Sequence, residues 1–261
     1  MTTLPTDDRV RAWLPMRSQD VAGDAVLLFC LPHAGGGASA FRGWVGTHRE
    51  VDVVPVQPPG REARMREPAF ERMDPLVDEL VSVIERSAAG QPFALYGHSL
   101  GALVAYETAV EMRRRRMPAP VHLIVSGAPA AHRAKEGGRA VSTMATPRLV
   151  SMLRKLGGTP EWVLQDPEML AMVLPVIRAD FALRESYRYR REPPLEVPVT
   201  VIATHDDARA SFSQQARWTD RSTRPGQVHT LTGGHFAIFE ETERVTRLVR
   251  DALVPTAGGR L

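Results

Sequence analysis

Residues 95–107 read LYGHSLGALVAYE and set Ser99 between Gly97 and Gly101, behind an apolar run and ahead of a helical pattern. Gly97-His98-Ser99-Leu100-Gly101 fits G-x-S-x-G. The pattern has a mechanical basis. A serine on a sharp strand-to-helix turn presents its hydroxyl outward, and flanking glycines let neighbouring backbone approach without a Cβ clash. Five residues alone are a weak signal. Here residues 93–96 read as a strand and 100–116 as a helix, which is the setting a nucleophilic serine requires. The competing reading is a small residue at an ordinary strand–helix junction.

Working outward, residues 25–31 (AVLLFCL) form an apolar run that ends in PHAGGG. This predicts a buried strand and a glycine-rich loop. Further strands are predicted at 52–56, 121–126, 199–203 and 227–231. Helices are predicted at 74–87, 213–220 and 240–253, with Asp74 as the cap and Pro75 as the first helical residue of 74–87. Residues 1–24 read as an irregular leader. Alternating strands and helices predict an α/β fold, a mostly parallel central sheet with helices on both faces. Residues 130–197 break the rhythm with helical segments and no strand. They predict a helical lid inserted between two core strands. One domain is expected over 1–261, with core at about 12–129 and 198–254 and a mobile tail at 255–261. Met144, Met152, Met169 and Met172 lie in the insertion. They fill a small helical core or form an adaptable apolar wall for a flexible acyl chain.

A serine hydroxyl needs a base. There are eight histidines. His98 sits inside the turn and is expected to point away from Ser99. His48, His122 and His132 lack a useful context. His235 follows the last strand in TGGHF, beyond its carboxyl end, where sites form in open α/β sheets. It is the candidate base, ahead of His229 within that strand and of His205, expected to be a loop residue. The imidazole needs a carboxylate to hold its tautomer. Strand 199–203 runs into Thr204-His205-Asp206-Asp207, so Asp207 or Asp206 can serve. A tetrahedral oxyanion needs two backbone N–H donors. Leu100, after the serine, and Ala34, in the loop after the first strand, are the candidates. That loop lacks a following Lys-Ser/Thr and any G-x-G-x-x-G, which argues against a phosphate cradle.

Composition narrows the class. Of 261 residues, 43% are hydrophobic and 24% charged, ordinary for a globular enzyme. Cys30 is the single cysteine, so no intramolecular disulfide can form. The N-terminal residues carry early aspartates and no apolar stretch behind a basic start, unlike a secretory signal. No run of about 18 apolar residues occurs. A soluble, cytoplasmic protein is expected. The net charge of +3, nearly all its cations arginine, is too small and scattered for a nucleic-acid surface. It suits an acidic partner or anionic substrate. Arg113–Arg116 lies at the far end of the helix after Ser99, about 20 Å away at 1.5 Å per residue. These arginines are expected to complement the helix dipole and face solvent.

FCLPHAGGGASAFRGW, VQPPGREARMRE, YGHSLGALVAYE, LGGTPEWVLQDPEMLAMVLPVIRADFALRESY and GGHF together resemble type II thioesterases, the stand-alone editing hydrolases of polyketide and nonribosomal peptide synthases. The resemblance spans roughly residues 12–249 and is most specific in the segment ending RADF. It implies an α/β-hydrolase core under a helical lid, and hydrolysis of acyl groups from the phosphopantetheine thiol of carrier proteins. It assigns catalytic roles to Ser99 and His235 and the oxyanion donors to Ala34 and Leu100. The aspartate loop departs from the family's G-G-x-x-D-P-x-V: here it reads ATHDDARA, lacking two glycines and the proline. Counting back from Trp218 favours Asp207 as the triad acid, and the altered loop leaves Asp206 open. No metal and no enzyme-bound cofactor are implied, since phosphopantetheine arrives with the substrate. The expected partners are acyl or peptidyl carrier protein domains, without nucleic acid or membrane, and a monomer is expected. Arg178, Arg184, Arg188 and Arg190 are the docking candidates. Three other readings stay open: a general carboxylesterase or lipase, a product-releasing thioesterase, and a non-catalytic carrier-binding protein on the same fold. A chain starting at Met1 with no carrier domain upstream favours editing over product release.

Overall fold

The computed structural model describes residues 5–17, 24–133 and 140–254. The tail expected at 255–261 lies outside them. Six strands, β1 (Val26–Leu31), β2 (Val51–Pro55), β3 (Phe93–His98), β4 (Leu123–Ser126), β5 (Val199–Thr204) and β6 (Gln227–Leu231), form one sheet in the order β2-β1-β3-β4-β5-β6. Every neighbouring pair is parallel. The α-helices are α1 (Pro5–Trp13), α2 (Met73–Ala88), α3 (Leu100–Arg114), α4 (Thr146–Leu156), α5 (Glu161–Gln165), α6 (Pro167–Ser186), α7 (Phe212–Ala216), α8 (Ala237–Glu240) and α9 (Thr242–Leu253).

The unbroken apolar runs of β1, β3 and β4 follow from burial on both faces. Leu27, Phe29 and Leu31 of β1 pack with the side of the sheet that carries α2 and α3. Leu28 and Cys30 pack on the opposite face with Phe41, Trp44 and α9. β6 is an edge strand and is largely exposed. This topology brings the loops after β1, β3, β5 and β6 to one edge of the sheet.

The structure corrects the reading of the N-terminal leader. Residues 5–13 are helical, and Trp13 is fully buried. Val10, Trp13 and Leu14 present apolar groups at i, i+3 and i+4, and packing on the core holds a helix too short to stand alone. Helix α2 starts at Met73, one residue before the expected cap, and its N-cap Arg72 makes no side-chain cap bond. Nor do the arginines at the end of α3 simply face water. Arg113 and Arg114 both bind Glu192, on the chain returning from α6 to β5. Arg115 pairs with Asp78 of α2 and with Glu111. They fasten the return segment and α2 to α3.

Between β4 and β5, the described residues hold α4, α5 and α6 and no strand. These helices share a small core of Leu149, Leu153, Leu164, Val176, Ile177 and Phe181. Met144 and Met152 pack against it, while Met172 is exposed.

Candidate active site

Ser99 occupies the turn between β3 and α3 with φ 56° and ψ −116°. A non-glycine residue there is strained, and such strain persists only where the surroundings over-determine it. The two flanking glycines explain how. A Cβ on Gly97 would lie 2.2 Å from the Gly101 carbonyl oxygen, and one on Gly101 would lie 2.1 Å from that of Leu31. Helix α3 therefore packs backbone-to-backbone against the sheet end. Gly101→Ala forces backbone apart in the core. It is expected to lower stability by more than about 3 kcal/mol, read as insolubility or a collapsed urea midpoint.

His235 and Asp207 reach Ser99 from two other loops. The Ser99 hydroxyl is 3.0 Å from His235 Nε2, and His235 Nδ1 is 2.8 Å from Asp207 Oδ2. Both partner side chains are almost fully buried. With Nδ1–H donating to the carboxylate, Nε2 carries the lone pair that accepts from Ser99. Asp207 is itself fixed: its Oδ1 accepts from the Arg209 N–H at 2.7 Å. Asp206 is exposed, and its backbone N–H donates to Gly233 O at 3.2 Å. The structure thus brings Asp207, not Asp206, to the histidine. The loop keeps this geometry without the missing glycines and proline because other groups hold it. Buried Gln215 donates to the carbonyls of Ala210 and Thr204 and accepts from Gly127 N–H. Further on, the Trp218 indole donates to Ala128 O at 2.9 Å, tying its own segment to the loop after β4. Gln215 gives no sequence signal beyond lying in a predicted helix.

The other histidines fall elsewhere. His205 stacks on Phe212. His229 contacts Gln227, and His122 contacts Thr200. His98 turns away from Ser99 to meet the Ser126 hydroxyl at 2.9 Å, its ring beside that of His235. Burial, reinforced by His235 and His33, holds His98 well below the ordinary histidine range. His33, enclosed by His98, Phe236 and Phe239, is pushed down to about 3 by burial, then by His235 and Arg61. The His98 ring beside His235 is therefore neutral, as is the His33 ring that packs against His98.

These depressed values carry a pH dependence. Burial also lowers His122 to about 4. A histidine depressed in the folded state stabilises the fold above its unfolded value, and that contribution fades as pH falls toward the folded value. Unfolding free energy is expected to decline below pH about 6.5, by up to about 1.4 kcal/mol per pH unit for each of the three. Burial raises Glu107 and Asp52, which acts in the opposite direction on fewer groups. Urea unfolding at several pH values between 7 and 5 measures the slope; a flat profile would contradict buried neutral rings.

A cleft of about 90 Å³ opens beside Ser99, lined by Ala34, Leu100, Leu103, Phe181, Arg184 and Arg209 among others. The two residues expected to supply the oxyanion donors thus both line it. Leu100 opens α3, where an N–H has no intrahelical acceptor. None of the insertion's four methionines lines this cleft. Of the four docking candidates, only Arg184 faces it. Arg178 donates to Ser142 O and Thr146 Oγ1, Arg188 to backbone carbonyls, and Arg190 pairs with Asp74 at 3.1 Å. Arg209, with its guanidinium over the Phe181 ring, was not foreseen from the sequence. Neither were Arg61 and Asp180, a buried ion pair joining the loop after β2 to α6. Both lie in segments that carry the resemblance. Among the described residues, no group of three or more His, Cys, Asp or Glu could hold a metal ion. No described helix is long and apolar enough to cross a membrane.

The parallel sheet, the strained serine turn and the hydrogen-bonded residues at its carboxyl edge define an α/β-hydrolase. The thioesterase-domain family matches residues 27–253, and the chain belongs to that family, as a thioester hydrolase. It is 38% identical to the gramicidin S biosynthesis protein GrsT of Aneurinibacillus migulanus over 218 residues, covering 82% of this chain and 83% of that one. It is 35% identical to the thioesterase PikA5 of Streptomyces venezuelae over 259 residues, covering 99% and 91%. The solved type II thioesterase BorB from the borrelidin biosynthetic cluster superposes with a TM-score of 0.83 at 34% identity, covering 93% of this chain and 98% of that one. The resemblance to type II thioesterases is borne out.

Proposed function

We propose that this chain hydrolyses aberrant or stalled acyl groups from the phosphopantetheine arm of acyl or peptidyl carrier proteins in polyketide or nonribosomal peptide biosynthesis. The observation that carries the reading is His235, which bridges Ser99 and Asp207 beside a cleft walled by Ala34 and Leu100. The thioester enters this cleft. His235 takes the Ser99 proton as Oγ attacks the carbonyl carbon. Asp207 holds the His235 tautomer and stabilises the imidazolium. The Leu100 and Ala34 N–H groups receive the oxyanion, each contributing about 3 kcal/mol to the transition state. The intermediate collapses, the pantetheine sulfur leaves with the proton from His235, and an acyl-Ser99 ester remains. His235 then deprotonates water, which attacks the ester; the acid departs and Ser99 regains its proton.

The test is a hydrolysis panel of acyl-carrier proteins of different chain length, beside matched oxygen esters and free small-molecule thioesters. The reading expects carrier-bound thioesters to give the highest kcat/KM. Faster turnover of oxygen esters would make the chain a general esterase, and release of only full-length product chains would make it a product-releasing thioesterase. Arg184→Glu is expected to slow carrier-bound substrates more than small thioesters; an equal effect on both would remove Arg184 from carrier recognition.

A further inference from the structure

The buried Arg61–Asp180 pair serves no step above, yet it touches the loop on which the reaction is proposed to depend. The two side chains are 6% and 5% exposed. Arg61 Nη1 lies 2.6 Å from Asp180 Oδ2, and Nη2 lies 2.9 Å from Oδ1, a bidentate pair. Asp180 Oδ2 also accepts from the Gly35 N–H at 2.7 Å, and Arg61 Nη1 donates to Gly36 O at 3.1 Å. The remaining Arg61 donors go to Pro59 O at 3.2 Å. One turn before Asp180, Ile177 presses on the same loop: a Cβ on Gly35 would be 2.7 Å from its Cγ1.

Three facts make this more than packing. Residues 35–37 are all glycine, so the chain after Ala34 has little conformational preference of its own. An oxyanion donor works only when fixed before the charge develops. And a buried ion pair is a poor stabiliser, since apolar residues of similar volume often do as well or better. We propose that Arg61 and Asp180 are positioning residues for the oxyanion loop, holding the peptide after Ala34 so that the Ala34 N–H stays aimed at the Ser99 cleft. Helix α6, which also supplies Phe181 and Arg184 to that cleft, is thereby part of the catalytic apparatus. It is held to the core there, because displacing it whole would leave two buried charges unpaired. The inference rests on Ala34 acting as an oxyanion donor, as proposed above.

The test uses the double variant Arg61→Met/Asp180→Leu, which removes both charges and leaves Gly35 N–H without its acceptor. It is expected to keep Tm within a few degrees and KM within about threefold, while kcat falls about 10²-fold, as a misplaced donor does. The Ki of an alkylboronic acid, whose tetrahedral adduct uses the same donors, rises by a similar factor. Asp180→Asn retains an acceptor for Gly35 and is expected to lose only about tenfold. A folded double variant with kcat within threefold of wild type overturns the proposal, as does a kcat loss that merely follows Tm. If the double variant does not fold, Asp180→Asn decides: a tenfold kcat loss at near-normal Tm supports the proposal, and unchanged kcat overturns it. A wild-type chain that hydrolyses no thioester would remove the parent reading instead. The rate at which a fluorophosphonate labels Ser99 would then still report on the pair.

Discussion

Ser99→Ala is expected to lower kcat for acyl-thioester hydrolysis by about 10⁶-fold, the scale seen when a serine nucleophile is removed from an intact triad. The substitution removes one oxygen and nothing structural. The Ser99 side chain makes no capping bond to α3, and the contacts that hold the turn belong to Gly97, Gly101 and the Ser99 N–H, which donates to Ser126 O at 2.9 Å. Tm should therefore stay within a few degrees. The same variant should take no label from a fluorophosphonate that labels wild type stoichiometrically. Residual activity above one part in a thousand, in protein shown to be free of wild type, would mean that the attacking oxygen comes from elsewhere.

Asp207→Asn is expected to cost about 10⁴-fold in kcat, with KM nearly unchanged. Asparagine keeps the size of the side chain and can still accept from the Arg209 N–H. Its amide, however, donates toward His235 Nδ1. The ring then carries its proton on Nε2, facing Ser99, and cannot accept the hydroxyl proton. Asp206→Asn is the matched control one residue away. Asp206 is exposed and joins the site only through its backbone N–H, so activity should stay within about twofold of wild type, as for other surface changes. Steady-state kinetics on one thioester settle both. Loss of activity in Asp206→Asn with a fully active Asp207→Asn would reverse the assignment. The altered loop was the one support for a non-catalytic reading, and that support weakens once Asp207 is found bonded to His235.

The fold was legible where burial writes itself into composition. The runs at β1, β3, β4 and β5 are continuous because both faces of a parallel sheet are covered. Their alternation with helices set the architecture. Helix α1 was missed because it spans only nine residues, and contact with the core is what makes it helical. The first residue of α2 was misplaced because a good capping sequence, Asp74-Pro75, sits one step inside the helix that packing selects.

In the site, the same division holds. Sequence alone singled out Ser99: two glycines, with a strand before and a helix after, mark the turn that the structure sets 3.0 Å from His235. It also singled out His235 among eight histidines, through its place past the carboxyl end of the last strand. Both signals are local, carried by neighbours along the chain. The choice of Asp207 over Asp206 was not local, because adjacent residues on an irregular loop differ only in direction. Gln215 and the Arg209 N–H set that direction from further along the chain. Arg61 and Asp180, 119 positions apart, are the extreme case. Neither segment carries a local signal that points to the other. Only the tertiary structure brings them together in the interior, where neither charge could remain without the other.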